Sequence, residues 1–174
     1  MSVRFPPLDT KPMEAEPVDD LPTGAGYQYE QKYDGFRCLA FRKSDPVQLQ
    51  SKNQKSLARY FPEIESALQE VDETGFVLDG EIISPEGIET LQLRLHPAAS
   101  RVEQMSIEHP ARYIVFDILA RLGSSLMSSP LEERRAVLEE SWQLIRACLC
   151  WSCERRPRRP PPLASGSDRR GSTA

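Results

Sequence analysis

The chain has 174 residues, enough for one domain with its own hydrophobic core. Apolar residues make up 39% of the chain and charged residues 28%, as in an ordinary soluble domain, and no apolar run approaches the ~20 residues of a membrane helix. The net charge is −4 although six arginines and two acidic residues lie after residue 150, so an acidic body argues against a nucleic-acid binder that is basic all over its surface.

The N-terminal part of the chain predicts an extended leader followed by short strands. Residues 1–26 contain five prolines, each of which fixes φ and removes a backbone donor, and no signal-peptide pattern, so we expect a cytoplasmic protein. Tyr27–Lys32 and Phe36–Arg42 flank Asp34-Gly35, a pair typical of a hairpin turn. Val47–Ser51 predicts a third strand.

The middle of the chain predicts helices alternating with strands. Pro62–Val71 has apolar residues at helical spacing and is followed by Gly75, a stop signal. Phe76–Leu78 and Glu81–Ile83 are short apolar runs that flank a second Asp-Gly pair, Asp79-Gly80. Further along, Ile88–Leu95 predicts a short helix and Tyr113–Leu119 an apolar, central strand.

The C-terminal part changes character abruptly. Ser129 and Glu132 form a capping box around Pro130, which predicts the start of a last helix. Residues 151–174 are rich in Arg and Pro, without periodicity, so we expect this tail to be disordered. The domain itself is expected over residues 27–150.

Cys148, Cys150 and Cys153 form a close run, but without paired histidines we interpret them as reduced thiols rather than a zinc site.

Charged residues around the first Asp-Gly pair are the first candidate site. If 27–42 form a hairpin, Glu30 and Lys32 share one face and Arg37 returns to it across the turn. That face would combine an acceptor, a nucleophile and a cation. A surface hairpin with solvated charges explains the same pattern.

Two later residues also have two interpretations each. Glu81 is a lone carboxylate among apolar strand residues and needs a partner, either a metal, a sugar hydroxyl or a core cation. Phe116 lies near the end of an apolar strand, just before Asp117. Its ring could pack in the core or stack on a base.

The order of these patterns is more specific than any one of them. Glu-x-Lys-x-Asp-Gly-x-Arg at 30–37, Ser51-Lys52-Asn53, Leu-Asp-Gly-Glu at 78–81 and Phe116-Asp117 together resemble the nucleotidyltransferase motifs of ATP-dependent DNA ligases. The sequence at 36–42, 59–63 and 93–101 also resembles the bacterial end-joining type of ligase. The resemblance implies an α+β, ATP-grasp-like nucleotidyltransferase domain with antiparallel sheets.

The resemblance also implies a reaction and a set of roles. Lys32 would attack the α-phosphate of ATP, and the resulting lysyl-AMP would activate a nick in double-stranded DNA for sealing. Glu30 would hold the adenine of ATP, Arg37 would contact the ribose, and the Phe116 ring would stack on the base. Lys52 and Glu81 would also contact the nucleotide. Glu81 would lie near Mg²⁺. End-joining repair proteins are the partners that the resemblance suggests.

The sequence departs from the family pattern at two places. Lys52 stands where arginine is usual, which keeps the charge but loses the bidentate fork. After Ala147 the downstream Glu-Gly and lysine motifs and the OB-fold domain are missing, so we expect a fold incomplete at its C-terminus, from a truncated or frameshifted gene. The alternatives are an inactive nucleotide-binding fragment, an RNA ligase or capping-type nucleotidyltransferase, and a protein that binds partners through its basic tail.

Overall fold

A computed structural model describes residues 4–24, 27–95 and 98–145, with side chains described as far as Ser141. One antiparallel sheet has the spatial order β2-β1-β3-β4-β5. Its strands are β1 (Phe36–Arg42), β2 (Gln48–Ser51), β3 (Phe76–Ile83), β4 (Arg112–Arg121) and β5 (Ser124–Ser125). A 3₁₀ turn at Ala58–Tyr60 precedes the helices α1 (Pro62–Gln69), α2 (Ile88–Leu93), α3 (Ala99–Glu108) and α4 (Leu131–Ile145).

The two faces of the sheet have different surroundings because successive strand residues point to opposite sides. One face carries the main core, in which Ala40, Leu78 and Ile118 pack with Ile64 and Leu68 of α1. The opposite face has a smaller cluster at one end. That cluster consists of Leu39, Phe41, Val77, Leu119 and Ala120, with Phe5 of the N-terminal segment packed against it. Polar residues occupy the other end of this second face.

The predicted hairpin around Asp34-Gly35 is wrong. Residues 27–34 have no regular secondary structure, and β1 begins only at Phe36. Both edges of β1 are already paired, one with β2 and the other with β3, so no edge is free for a third strand. Gly35 instead allows the backbone to pass close to β3, because a Cβ at this position would collide with the Ile82 carbonyl oxygen.

The second Asp-Gly pair does not interrupt its strand. β3 runs continuously through Asp79 and Gly80, and a Cβ on Gly80 would collide with the Ile114 carbonyl oxygen of β4. The local turn propensity is therefore overridden by strand pairing on both sides. The register of β3 against β4 shifts within this pair, between Asp79 and Gly80.

The other predicted elements are largely confirmed. The third strand, the helix at α1, the short helix at α2 and the strand at β4 all form, and β4 lies inside the sheet between β3 and β5. α4 begins at Leu131, one residue later than the capping pattern predicts. α3 was not predicted, although Val102 and Met105 are buried at helical spacing.

Some predictions fall on parts of the chain that the structure does not describe. The tail at 151–174 and the run of Cys148, Cys150 and Cys153 lie outside the described residues. Residues 4–24 form no helix or strand, and their assignment as a leader separate from a domain at 27–150 stays a prediction. None of the described helices is long and apolar enough to cross a membrane.

Candidate active site

Arg37, Asp79 and Glu81 form the centre of the polar end of the sheet. Arg37 on β1 is directly opposite Glu81 on β3, and Asp79 lies on the same face two residues away. The Arg37 guanidinium donates two hydrogen bonds to the Asp79 carboxylate, from Nε to Oδ1 at 2.6 Å and from Nη2 to Oδ2 at 2.8 Å. Burial lowers the pKa of Arg37, but the hydrogen bond and charge of Asp79, together with the charge of Glu81, outweigh burial and raise this pKa above its ordinary value.

Phe116 joins this group through an irregularity in β4. Val115 is registered with Gly80 and Asp117 with Asp79, so no residue of β3 is registered opposite Phe116. Such a bulge re-aims a side chain. The Arg37 guanidinium carbon lies 4.4 Å from the centroid of the Phe116 ring, a cation–π distance. The predicted cation and the predicted stacking ring are thus in contact.

Glu81 is half-buried and has three neighbours that favour its charged form. Burial and the neighbouring Asp79 carboxylate raise the pKa of the Glu81 carboxyl, whereas the charge of Arg37, a hydrogen bond from the Gly35 N–H and the charge of Lys32 lower it. The pKa nevertheless stays above its ordinary value. Lys32 itself is exposed and lies in the irregular segment just before β1.

Glu30 and Lys52 lie at the margins of the site. Glu30 is not on a strand, but its carboxylate accepts a hydrogen bond from Gln28 Nε2 at 2.8 Å and pairs with Arg135 Nη1 at 3.3 Å. Lys52 is exposed in the turn after β2. Because Ser51 is opposite Cys38, Lys52 emerges at the same end of the sheet as Arg37.

A second buried ion pair, which was not predicted from the sequence, lies next to Phe116. Asp117 is opposite Asp79 in the register of β4 against β3, so two carboxylates face each other and each needs a cation. Arg134 of α4 supplies the second one, with Nε at 2.9 Å from Oδ1 and Nη2 at 2.7 Å from Oδ2 of Asp117. The available signal was an aspartate inside an apolar strand, which requires a partner.

A separate hollow does not coincide with these residues. It has a volume of about 550 Å³ and lies between the N-terminal segment and the β1–β2 turn, lined among others by Phe5, Phe41, Lys43 and Pro46. It contains none of the side chains that the sequence motifs select. We therefore place the candidate site at the polar end of the sheet, where the charged side chains are paired and hydrogen-bonded, and not in this hollow.

Replacing Glu81 with Gln is expected to raise the unfolding temperature at neutral pH. Burial raises the pKa of the Glu81 carboxyl in the fold, so ionisation costs stability as the pH rises from the ordinary glutamate value through the folded value. Gln keeps the shape and an oxygen for the Gly35 N–H. Thermal unfolding should show the difference at about pH 7.5 and little at about pH 4, where Glu81 is largely protonated in both states. A wild type more stable than the variant at the higher pH would contradict this account.

Comparison with known proteins identifies the family. The family model for the ATP dependent DNA ligase domain matches residues 12–149. The chain is 43% identical to DNA ligase C1 of Mycolicibacterium smegmatis over 82% of this chain and 43% of that protein. It is 41% identical to DNA ligase C of Mycobacterium tuberculosis over 79% of this chain and 38% of that protein. The bifunctional non-homologous end joining protein LigD of Bacillus subtilis is 33% identical over 68% of this chain and 21% of that protein.

A solved structure has the same fold. Mycobacterial DNA ligase D complexed with ATP and MES aligns with a TM-score of 0.51 and 23% identity, over 66% of this chain and 36% of that chain. The antiparallel sheet with peripheral helices is thus the α+β nucleotidyltransferase fold expected from the sequence. The chain spans less than half the length of these relatives. From the family match over residues 12–149, the chain belongs to the ATP-dependent DNA ligase family.

Proposed function

We propose that this chain carries the adenylate-accepting part of an ATP-dependent DNA ligase, with Lys32 as the nucleophile. The observation that carries the proposal is the convergence of Arg37, Glu81 and Phe116 at one end of one sheet face, with Lys32 in the segment that leads into β1. Arg37, Glu81 and Phe116 come from three motifs that are distant in sequence. A solvated surface hairpin does not account for their convergence.

Lys32 has the chemistry for the first step of this reaction. Its uncharged amine would attack the α-phosphorus of ATP, so that a P–N bond forms and the P–O bond to the β-phosphate breaks. Pyrophosphate leaves and the amine gives up a proton. Because a triphosphate favours the ammonium form of a nearby lysine, neighbouring cations such as Arg37 help to free the amine for attack.

The surrounding residues would hold the nucleotide. Phe116 offers a ring for the adenine and Glu30 an acceptor for its amino group. Arg37 covers one face of the ring, so the base takes the opposite face or displaces the guanidinium toward the ribose. Lys52, exposed at the same end of the sheet, contributes a further charge for the phosphates.

Glu81 is suited to a magnesium ion that arrives with the nucleotide. Among the described residues no group of three or more His, Cys, Asp or Glu side chains could hold a metal by itself. A single carboxylate completed by substrate phosphates is a usual coordination for Mg²⁺. The ion would neutralise phosphate charge, while Glu81 would orient the ribose side of the nucleotide.

The later steps extend this proposal to DNA. AMP on Lys32 would pass to the 5′-phosphate of a nick, and the 3′-hydroxyl would then displace it and seal the strand. Nicked or broken double-stranded DNA is the expected substrate, in repair and recombination in the cytoplasm. The name of the Bacillus subtilis relative, a non-homologous end joining protein, supports end-joining partners.

Label transfer tests the first step. The folded chain is incubated with Mg²⁺ and ATP labelled on the α-phosphate or, as a control for phosphorylation, on the γ-phosphate. We expect covalent label only from the α-labelled nucleotide, and release of that label in acid. ATP binding without covalent label by a chain with a cooperative unfolding transition would contradict the proposal and favour the nucleotide-binding fragment.

A further inference from the structure

Two adjacent arginines of α4 hold the strand segment that carries Phe116. Arg134 makes the buried pair with Asp117 and donates from Nη1 to the Ser129 carbonyl at 2.7 Å. Arg135 donates from Nη1 to the Phe116 carbonyl oxygen at 2.7 Å. The Phe116–Asp117 segment is therefore attached to α4 through both a side chain and a backbone carbonyl.

Arg135 also reaches the segment that precedes β1. The same Nη1 lies 3.3 Å from Glu30 Oε1, and Arg135 Nε lies 3.9 Å from Glu139 on its own helix. One guanidinium thus connects Glu30 to the backbone of Phe116. These are the two residues that the proposed function assigns to the adenine.

Both of these residues depend on contacts beyond regular strand pairing. Glu30 lies in an irregular segment, where it also accepts a local hydrogen bond from Gln28. Phe116 sits at the bulge, opposite no residue of β3. If the Phe116 ring and the Glu30 carboxylate contact different parts of the same base, the distance between them must be fixed.

We propose that Arg135 is a positioning residue of the adenine subsite, which sets Glu30 at a fixed distance from the Phe116 ring. This inference rests on the proposed function, because it assumes that Glu30 and Phe116 bind the base. Arg134 and Arg135 then divide two tasks. Arg134, which is buried with Asp117, docks α4 on the sheet, and the more exposed Arg135 orders the base-binding residues.

The test separates recognition of the base from attraction of the phosphates. ATP and inorganic triphosphate are titrated into wild type, Arg135→Ala and Arg135→Lys, with Glu139→Gln as a control that removes only the helical partner of Arg135. Arg135→Ala is expected to weaken ATP binding about tenfold, the effect of losing one charge-assisted contact. Triphosphate binding should stay within about twofold, and Arg135→Lys should recover part of the ATP affinity.

Each outcome has a distinct meaning. Equal weakening of ATP and triphosphate, or unchanged ATP binding by Arg135→Ala with an unchanged unfolding midpoint, would overturn the positioning role and leave the proposed function standing. If Arg135→Ala fails to fold, the Lys variant decides, because it keeps a charge but loses the fork. A wild type that binds ATP no better than triphosphate would overturn both the positioning role and the proposed adenine subsite.

Discussion

Replacing Arg94 with Met is expected to destabilise the fold by about 3–5 kcal/mol, the usual cost of removing one partner of a buried ion pair. The Arg94 side chain is completely buried and pairs through Nη2 with Glu63 Oε1 at 2.7 Å. Its guanidinium also donates to the carbonyls of Tyr60 and Met105 at 3.1 Å and of His109 at 3.0 Å. Met fills the space but leaves all four acceptors without this donor.

Arg94 has this weight because it joins elements that are separated in the chain. Its acceptors lie on the 3₁₀ turn, on α1 and at the end of α3, and Glu63 also accepts the backbone N–H of Ala111 just before β4. Arg94→Lys should lose somewhat less stability, since an ammonium keeps the charge without the fork.

Urea unfolding of the two variants and of a control checks this prediction. Arg101→Met, at an exposed position of α3, should change the free energy of unfolding by less than about 0.5 kcal/mol. An Arg94→Met variant as stable as Arg101→Met would show that the buried guanidinium does not hold these elements together.

Replacing Lys32 with Arg is expected to reduce AMP uptake to background and to leave ATP binding nearly unchanged. A guanidinium keeps the positive charge but stays protonated, so it cannot attack phosphorus. Lys32 is exposed, and the substitution should not disturb folding. Covalent label from α-labelled ATP and the ATP dissociation constant are measured on the same samples.

A lysine far from the site provides the matched control. Lys11→Arg, at an exposed position of the N-terminal segment, should take up label like the wild type. Label on Lys32→Arg at the wild-type level would exclude Lys32 as the nucleophile. Loss of both label and ATP binding would show instead that the substitution damages the nucleotide site.

The motif order selected residues that lie close together in the fold, whereas the path of the backbone between them was partly mispredicted; the roles of these residues stay predictions. Lys32, Arg37, Glu81 and Phe116 were selected from the order of their motifs. The structure places Arg37, Glu81 and Phe116 at one end of the sheet, with Lys32 in the irregular segment just before β1. The local periodicity of α1 and the apolar run of β4 were also sufficient to predict those elements.

Contacts between distant residues explain what the sequence did not reveal. The two Asp-Gly pairs have the composition of turns. In the structure, however, only glycine fits at positions 35 and 80, because carbonyl oxygens of neighbouring strands lie too close for a Cβ. A local turn preference carries no information about such an approach. In the same way, nothing near Arg94 or Arg135 in the sequence identifies Glu63 or Glu30 as their partners.

Mapping the adenylated residue by mass spectrometry tests the central claim most directly. The chain is incubated with ATP and Mg²⁺, digested at neutral pH to preserve a phosphoramidate, and the peptides are searched for a mass increase of one AMP. We predict this increase on the peptide that contains Lys32, with fragmentation placing it on the lysine itself. An unmodified Lys32 in a folded, ATP-binding chain, or AMP on a different residue, would contradict the assignment of Lys32 as the acceptor.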